Sequence, residues 1–378
     1  MKLSGRIFFT LIIALILYIL ITGYDVYDYF YSVRSFIYLN SSENLRRNNF
    51  DNKILADLNS IKKKDVALSV VVCGDRVRET LVLIKSAIVF SRKCNLKVII
   101  IAESELIQSF EETLSEWVAQ NNSFSFETHP ISFPKTQAEE WKKLFKPCAS
   151  QRLFLPSVLK HIDSVLYVDT DVLFLSPVDE IWEHFDRMNS TQLAALSPEH
   201  EDRNTGWYNR FARHPYYGEL GVNSGVMLMN LTRMRDFGWE KYLLPILHEY
   251  KLKMTWGDQD IINIIFHFHP ERLYVYDCSY NYRSDHCMYM SVCHPPEKTG
   301  VRVLHGSRGT FHSGKQPTFK AIFNAFEQYQ LGTDLYQYLL LPLEAYLKET
   351  TDTNCGKIYN IFMKQLFDYV KHDDYFNV

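Results

Sequence analysis

The chain opens on an unbroken apolar run and then changes rhythm. Ile7 to Gly23 carries no charge and consists mostly of Ile, Leu and Phe. As a helix at 1.5 Å per residue it reaches about 26 Å, enough for a thin bilayer such as that of the early secretory pathway. Lys2 and Arg6 precede it and Asp25 and Asp28 follow. The positive-inside bias then places residues 1–6 in the cytoplasm and the rest of the chain in the lumen. A cleaved signal peptide has a similar outline. No clean small-x-small site follows the run, which favours an uncleaved signal-anchor over residues 7–23. Residues 24–64 are rich in Tyr, Asn, Ser and Lys without a sustained period, and read as a lumenal stem.

From residue 65 to 378 the pattern becomes that of a folded domain. Ala67 to Cys73 is a continuous apolar run closed by Gly74, the signature of a buried strand. Arg76 to Lys93 has helical spacing through Val77, Leu81, Ile84 and Ile88. Leu96 to Ala102 is a second buried strand. Ser104 to Gln120 begins on a Ser cap and runs helically through Leu106, Ile107, Phe110, Leu114 and Trp117. A third strand is expected over Phe124 to Ile131, helices over Ala138 to Phe145 and Ser150 to Lys160, and a short strand over Ser164 to Val168. This β-α-β-α-β-α-β order predicts an α/β fold with a mostly parallel central sheet flanked by helices. Ligands of such sheets bind at the carboxyl ends of the strands.

Composition narrows the partners. The 378 residues hold 41 basic and 44 acidic side chains, a net charge of -3, so no basic field points to nucleic acid. Sequons at Asn40, Asn121, Asn189 and Asn230 and seven cysteines fit a lumenal domain. Cys278, Cys287 and Cys293 crowd one Tyr-rich stretch where disulfides are expected. Pairing is open at this level, and an odd count leaves at least one thiol unpaired. Neither a G-x-G-x-x-G nor a P-loop follows the first strand, so any nucleotide site is of another kind.

Asp169-Thr170-Asp171 stands just past the strand Val165 to Val168. Two carboxylates there are costly unless paired or bound to a cation. A hard divalent ion can share them with phosphate oxygens; alternatively they cap a turn. His305 ends another apolar run and offers a third ligand, or is an ordinary core histidine. Lys315, in a Gly-rich stretch, can neutralise a diphosphate or be an exposed loop residue. Asn223 and Ser224 lie before a strand-like run, where small polar residues admit a sugar or make a turn. Asp258 can be a helix N-cap, and Gln259, in a loop between Asp258 and Asp260, can hold sugar hydroxyls.

Together, Asp169-Thr170-Asp171, the stretch Gly221 to Asn230, Gly257 to Asp260 and Leu304-His305-Gly306 resemble glycosyltransferase family eight. Within that family, Phe145 to Pro156, Pro198 to Glu201 and Trp207 to Tyr217 resemble the glucoside xylosyltransferases. The likeness extends over about residues 66 to 370. It implies a GT-A type nucleotide-sugar-binding fold, Mn2+, and transfer of xylose from UDP-xylose, with retention, to O-linked glucose on EGF-like repeats of Notch-type receptors. It further implies Asp169, Asp171 and His305 as metal ligands, with Gln259 and Asp258 as catalytic residues. Cys73, Asp75, Arg152, Asp169, Thr170, Asn223, Ser224 and Lys315 would contact the donor. The implied setting is a type II membrane protein of the Golgi or ER. One departure is visible: much of the family places its closing Lys nearer the His and before Pro-Trp, whereas Lys315 precedes Gln316-Pro317.

Overall fold

The computed structural model describes residues 63–374, apart from 121–123, 135–137, 143 and 145–147. The expected anchor over 7–23 and most of the stem lie outside these residues. Among the described residues no helix is long and apolar enough to cross a membrane.

Among the described residues the strands are β1 (Lys64–Val72), β2 (Cys94–Ala102), β3 (Phe124–Pro130), β4 (Ser164–Val168), β5 (Val172–Phe174), β6 (Ala194–Pro198), β7 (Val222–Asn230), β8 (Leu273–Val275) and β9 (Val303–His305). Seven form one sheet in the order β3-β2-β1-β4-β7-β6-β8. Pairs β1–β2, β2–β3, β1–β4 and β6–β8 are parallel, while β4–β7 and β6–β7 are antiparallel. The chain runs outward through β2 and β3, then returns to place β4 on the other side of β1. That reversal leaves a crevice at the carboxyl ends of β1 and β4.

Side chains alternate across the sheet with period two, and both faces are apolar. Leu68, Val70, Val98, Ile100, Leu166, Val168, Val226 and Leu228 enter one core. Val71, Ile99, Ile101, Val165, Tyr167, Met227 and Met229 enter the other. The first core is covered by helices α1 (Val77–Val89), α2 (Ser104–Gln120) and α4 (Pro317–Gln328). The second is covered by α3 (Asp258–Phe268) through Ile261, Ile262, Ile264 and Ile265.

Several expectations from the sequence need correction. α1 stops at Val89, before the Ser-Arg-Lys turn. The helix expected over Ala138 to Phe145 is described only as Ala138–Lys142. The stretch expected as one helix over Ser150 to Lys160 is a 3-10 turn, Ala149–Phe154, followed by a single turn, Leu155–Val158. Pro156 at its start has no N–H to continue the ladder. Asn223 and Ser224 lie within β7 rather than before it. Asp258 is not the cap of α3 but its first residue. Gln259 therefore belongs to the first helical turn and not to a loop. The turn into α3 is made by Gly257, whose φ of 61° suits glycine.

Candidate active site

A small second sheet builds the centre of the site. β5, immediately after Asp171, pairs antiparallel with β9, so that Val172 faces His305. The Gly306 N–H donates to the Asp171 carbonyl at 2.7 Å, and the Asp169 N–H to the Gly225 carbonyl at 2.8 Å. His305 Nε2 thereby lies 3.8 Å from Asp169 Oδ2 and 3.4 Å from Asp171 Oδ1. One donor atom from each of the three residues falls within 4.8 Å of the others. Gly225 is required for this approach, because a Cβ there would stand 2.1 Å from His305 Cε1.

A relay of hydrogen bonds settles which nitrogen of His305 faces the carboxylates. The Glu199 carboxylate only accepts, and Asn223 Nδ2 donates to it at 2.7 Å. Asn223 Oδ1 then accepts from Asn281 Nδ2 at 2.8 Å. Asn281 Oδ1 consequently faces His305 Nδ1, also at 2.8 Å, which must carry the proton. Nε2 is thereby the nitrogen turned toward Asp169 and Asp171, and it is the one whose lone pair a metal ion there would take. Two carboxylates and one neutral imidazole suit a divalent cation of the Mg, Mn or Zn kind.

Arg152 occupies the heart of the neighbouring wall. Its guanidinium is buried and reaches Asp169 Oδ1 at 2.8 Å and Asp258 Oδ2 at 2.6 Å. Nη1 donates to the Ser224 carbonyl at 2.7 Å and to its hydroxyl at 3.1 Å, and the group lies 4.6 Å from the centre of the Tyr167 ring. Burial disfavours the charged guanidinium, but the two aspartates outweigh it and hold Arg152 above its ordinary value. Burial raises the Asp258 carboxyl, and Arg152 pulls against that shift without cancelling it.

Gln259 is fixed at both ends of its amide. Oε1 accepts from the Ser224 N–H at 3.0 Å, while Nε2 donates to Glu199 Oε2 at 3.2 Å and to Tyr208 Oη at 3.3 Å. Tyr208 in turn donates to Asp260 at 2.8 Å. Asp260 also receives the Thr255 and Trp256 N–H groups at 2.7 and 2.6 Å.

Arg152, Asp169, Asp171, Asn223, Ser224, Asp258, Gln259 and His305 are thus brought together. Thr170 turns away from them, and its hydroxyl donates to Glu79 at 2.8 Å. Cys73 holds no free thiol, being bonded to Cys148, and Asp75 is almost fully exposed beside Arg76. Lys315 is exposed, and its ammonium bonds to none of the described residues.

Glu79, Glu199, Tyr208, Asp260 and Asn281 are residues of the site that the sequence did not single out. Glu79 takes Arg76 at 3.0 Å and His312 at 2.6 Å besides Thr170, and so ties the Asp169–Asp171 turn to α1 and to the segment after β9. Glu199, Tyr208 and Asp260 lie inside or beside stretches that carry the family likeness, which is a usable signal. Asn281 and Glu79 have none.

Fold and site together have the form of a nucleotide-sugar transferase of the GT-A type. The chain belongs to glycosyl transferase family 8, whose profile matches residues 36–298. It is similar to glucoside xylosyltransferase 1 of Rattus norvegicus, 54% identical over 310 residues that make up 79% of this chain and 71% of that protein. It is similar to glucoside xylosyltransferase 1 of Homo sapiens at 53% over 310 residues, 79% of this chain and 70% of that one. In fold it is similar to the galactosyltransferase LgtC, solved with donor and acceptor sugar analogs. The TM-score is 0.55 at 17% identity, covering 71% of this chain and 98% of that chain.

Proposed function

We propose that this enzyme transfers xylose from UDP-α-D-xylose, with retention, to O-linked glucose on EGF-like repeats, forming an α-1,3-linked xyloside. The observation that carries the reading is the convergence of Asp169, Asp171 and His305 beside the Arg152–Asp258–Gln259 wall at the carboxyl end of β4. The identity to glucoside xylosyltransferases supports xylose as the sugar transferred and a glucoside as its acceptor.

Asp169, Asp171 and His305 would hold Mn2+, which when bound supplies Lewis-acid neutralisation of the diphosphate. Lys315, on the segment after β9, would add a second positive charge to the leaving group. Cys73 and Asp75, at the end of β1, would border the uridine, whereas the Thr170 hydroxyl is engaged by Glu79 and takes no part in this reading. Arg152 fixes Asp169 and Asp258 in place, and Asn223, Ser224, Asp258 and Gln259 surround the sugar. In the reaction the anomeric carbon–oxygen bond to the diphosphate breaks and UDP leaves with the electron pair. The glucose hydroxyl oxygen forms the new bond on the same face, and its proton passes to the departing phosphate oxygen. Gln259, a neutral amide, positions the sugar rather than attacking it.

The setting proposed is the lumen of the Golgi or ER, with residues 7–23 as the anchor. Three disulfides support an oxidising compartment.

The test is incubation of the full-length protein in detergent with Mn2+, an O-glucosylated EGF repeat and UDP-xylose, UDP-glucose or UDP-galactose in turn. Mass spectrometry reads the product. A pentose-sized gain that needs both Mn2+ and the glucose is expected. A hexose gain would overturn the donor and leave the transferase. No gain, from protein that binds UDP and Mn2+, would favour a silent lumenal UDP-binding protein or a different acceptor.

A further inference from the structure

We propose that Glu127, His129 and His161 form a second divalent-cation site, of the zinc type, on the outer edge of the main sheet. It uses none of the residues of the candidate active site. β3 is the terminal strand, and Glu127 and His129, two apart, project to the same face. His161 arrives from the turn before β4. His129 Nε2 and His161 Nε2 each lie 3.2 Å from the same carboxylate oxygen, Glu127 Oε1. One donor atom from each residue falls within 4.8 Å of the others.

These separations fit the chemistry of zinc. With bonds of about 2.0–2.1 Å and tetrahedral angles, neighbouring ligand atoms lie about 3.3 Å apart. Two imidazoles and one carboxylate, with a position left to water, make a donor set that zinc accepts readily. The carboxylate is held ready by Lys97 on β2, which pairs with the other oxygen, Oε2, at 2.8 Å and leaves Oε1 to the histidines. Burial pushes the Glu127 carboxyl up, but the bonds from Lys97, His129 and His161 outweigh it and keep it below its ordinary range, hence ionised. Without metal, each Nε2–H can donate to Oε1. On binding, each neutral ring carries its proton on Nδ1 instead, by exchange with solvent. A bound ion would staple the edge strand to the turn that leads into β4.

The test uses full-length protein stripped with EDTA, then dialysed against micromolar Zn2+ at pH 7.5. Bound zinc is counted by mass spectrometry, and Tm is read with and without the metal. Wild-type protein is expected to hold one zinc more than His161→Ala and one more than His129→Gln, and to lose that part of its zinc-dependent Tm rise in either variant. His161 is more than half exposed, so its truncation should leave the metal-free Tm unchanged, which separates lost binding from lost folding. Equal zinc content and equal Tm shifts in wild type and both variants would overturn the proposal.

Discussion

Asn281 sets the ring of His305: its side-chain oxygen accepts from Nδ1 at 2.8 Å, while its amide nitrogen is anchored on Asn223. Both residues are buried, so the relay competes little with water. Partners of this kind orient a metal ligand and fix its tautomer. Asn281→Ala should weaken cation affinity roughly 10- to 100-fold. Calorimetric titration with Mn2+ would measure it, and excess Mn2+ should restore most of the turnover. A Kd equal to wild type would mean that the ring is held by packing alone.

Gly225 offers an independent way to disturb the same imidazole. A methyl group there would overlap His305 at 2.1 Å from Cε1 and 2.9 Å from Nε2. The ring cannot yield easily, because its backbone is fixed in β9 and its Nδ1 in the relay. Gly225→Ala is therefore expected to cost about 1–3 kcal/mol, the usual range for overpacking, and to lower Mn2+ affinity more than tenfold. Unchanged affinity with reduced Tm would confine the effect to packing.

Arg152 and Asp258 form a buried pair whose members do not survive separately. Removing the guanidinium leaves Asp258, buried and acidic, without its counter-charge. Arg152→Met should destabilise the fold by about 3–5 kcal/mol, as for other buried pairs broken on one side. Arg152→Met with Asp258→Asn should recover part of that loss without recovering activity. Denaturant unfolding of the three proteins would read the coupling, and strict additivity would contradict it.

Much of this arrangement is legible in the chain, for a physical reason. Buried strands such as Ala67 to Cys73 must be continuously apolar, and charged residues just beyond them, such as Asp169 and Asp171, stand out. A histidine ending an apolar run stands out in the same way. The identity of the sheet's second half is not legible. β6 and β8 are only five and three residues long, too short for a period, and the antiparallel insertion of β7 between β4 and β6 depends on packing between distant segments. The same holds for polar partners that meet only through the fold. Asn281 reaches His305 across 24 positions and Asn223 across 58, and Glu79 reaches Thr170 across 91. No local pattern marks an Asn or Glu for such a contact. Asn223 and Gln259 stand out as residues, yet local pattern puts them in a turn and a loop. Polar side chains inside a strand or a first helical turn look like breaks until their partners are known.

The cysteines give a prediction that needs no variant. Cys73–Cys148, Cys278–Cys293 and Cys287–Cys355 are bonded, and Cys94 alone is free and buried. Burial pushes its thiol up to about 12. Thiol titration without reductant should find essentially none in native protein and one per chain after denaturation. Two further thiols would contradict the pairing. The bond from Cys73 also ties the end of β1 to the turn that carries Arg152. Its loss in Cys73→Ser should cost about 2–5 kcal/mol and lower kcat/KM.

His214 gives the fold a pH dependence of known sign. Nδ1 donates to the Pro215 carbonyl at 2.8 Å, and Nε2 lies 3.3 Å from Asp260 Oδ1. Two acceptors can both be satisfied only by the imidazolium. Burial disfavours that charge, but the bonds to Asp260 and Pro215 and the Asp260 charge outweigh it, and the ring is held above its ordinary value. A group raised in the folded state contributes stability that is fully present below its unfolded value, about 6.5 for histidine, and is lost as pH rises through the folded value. The Tm advantage of wild type over His214→Gln should therefore shrink from about pH 6.5 upward, measured as paired melts from pH 5.5 to 8.5. Because Asp260 also receives Tyr208, whose oxygen accepts from Gln259, the same series read for kcat reports whether this charge reaches the sugar site. A constant difference in Tm across the range would mean that His214 is neutral in the fold and that Asp260 is balanced by its backbone donors alone.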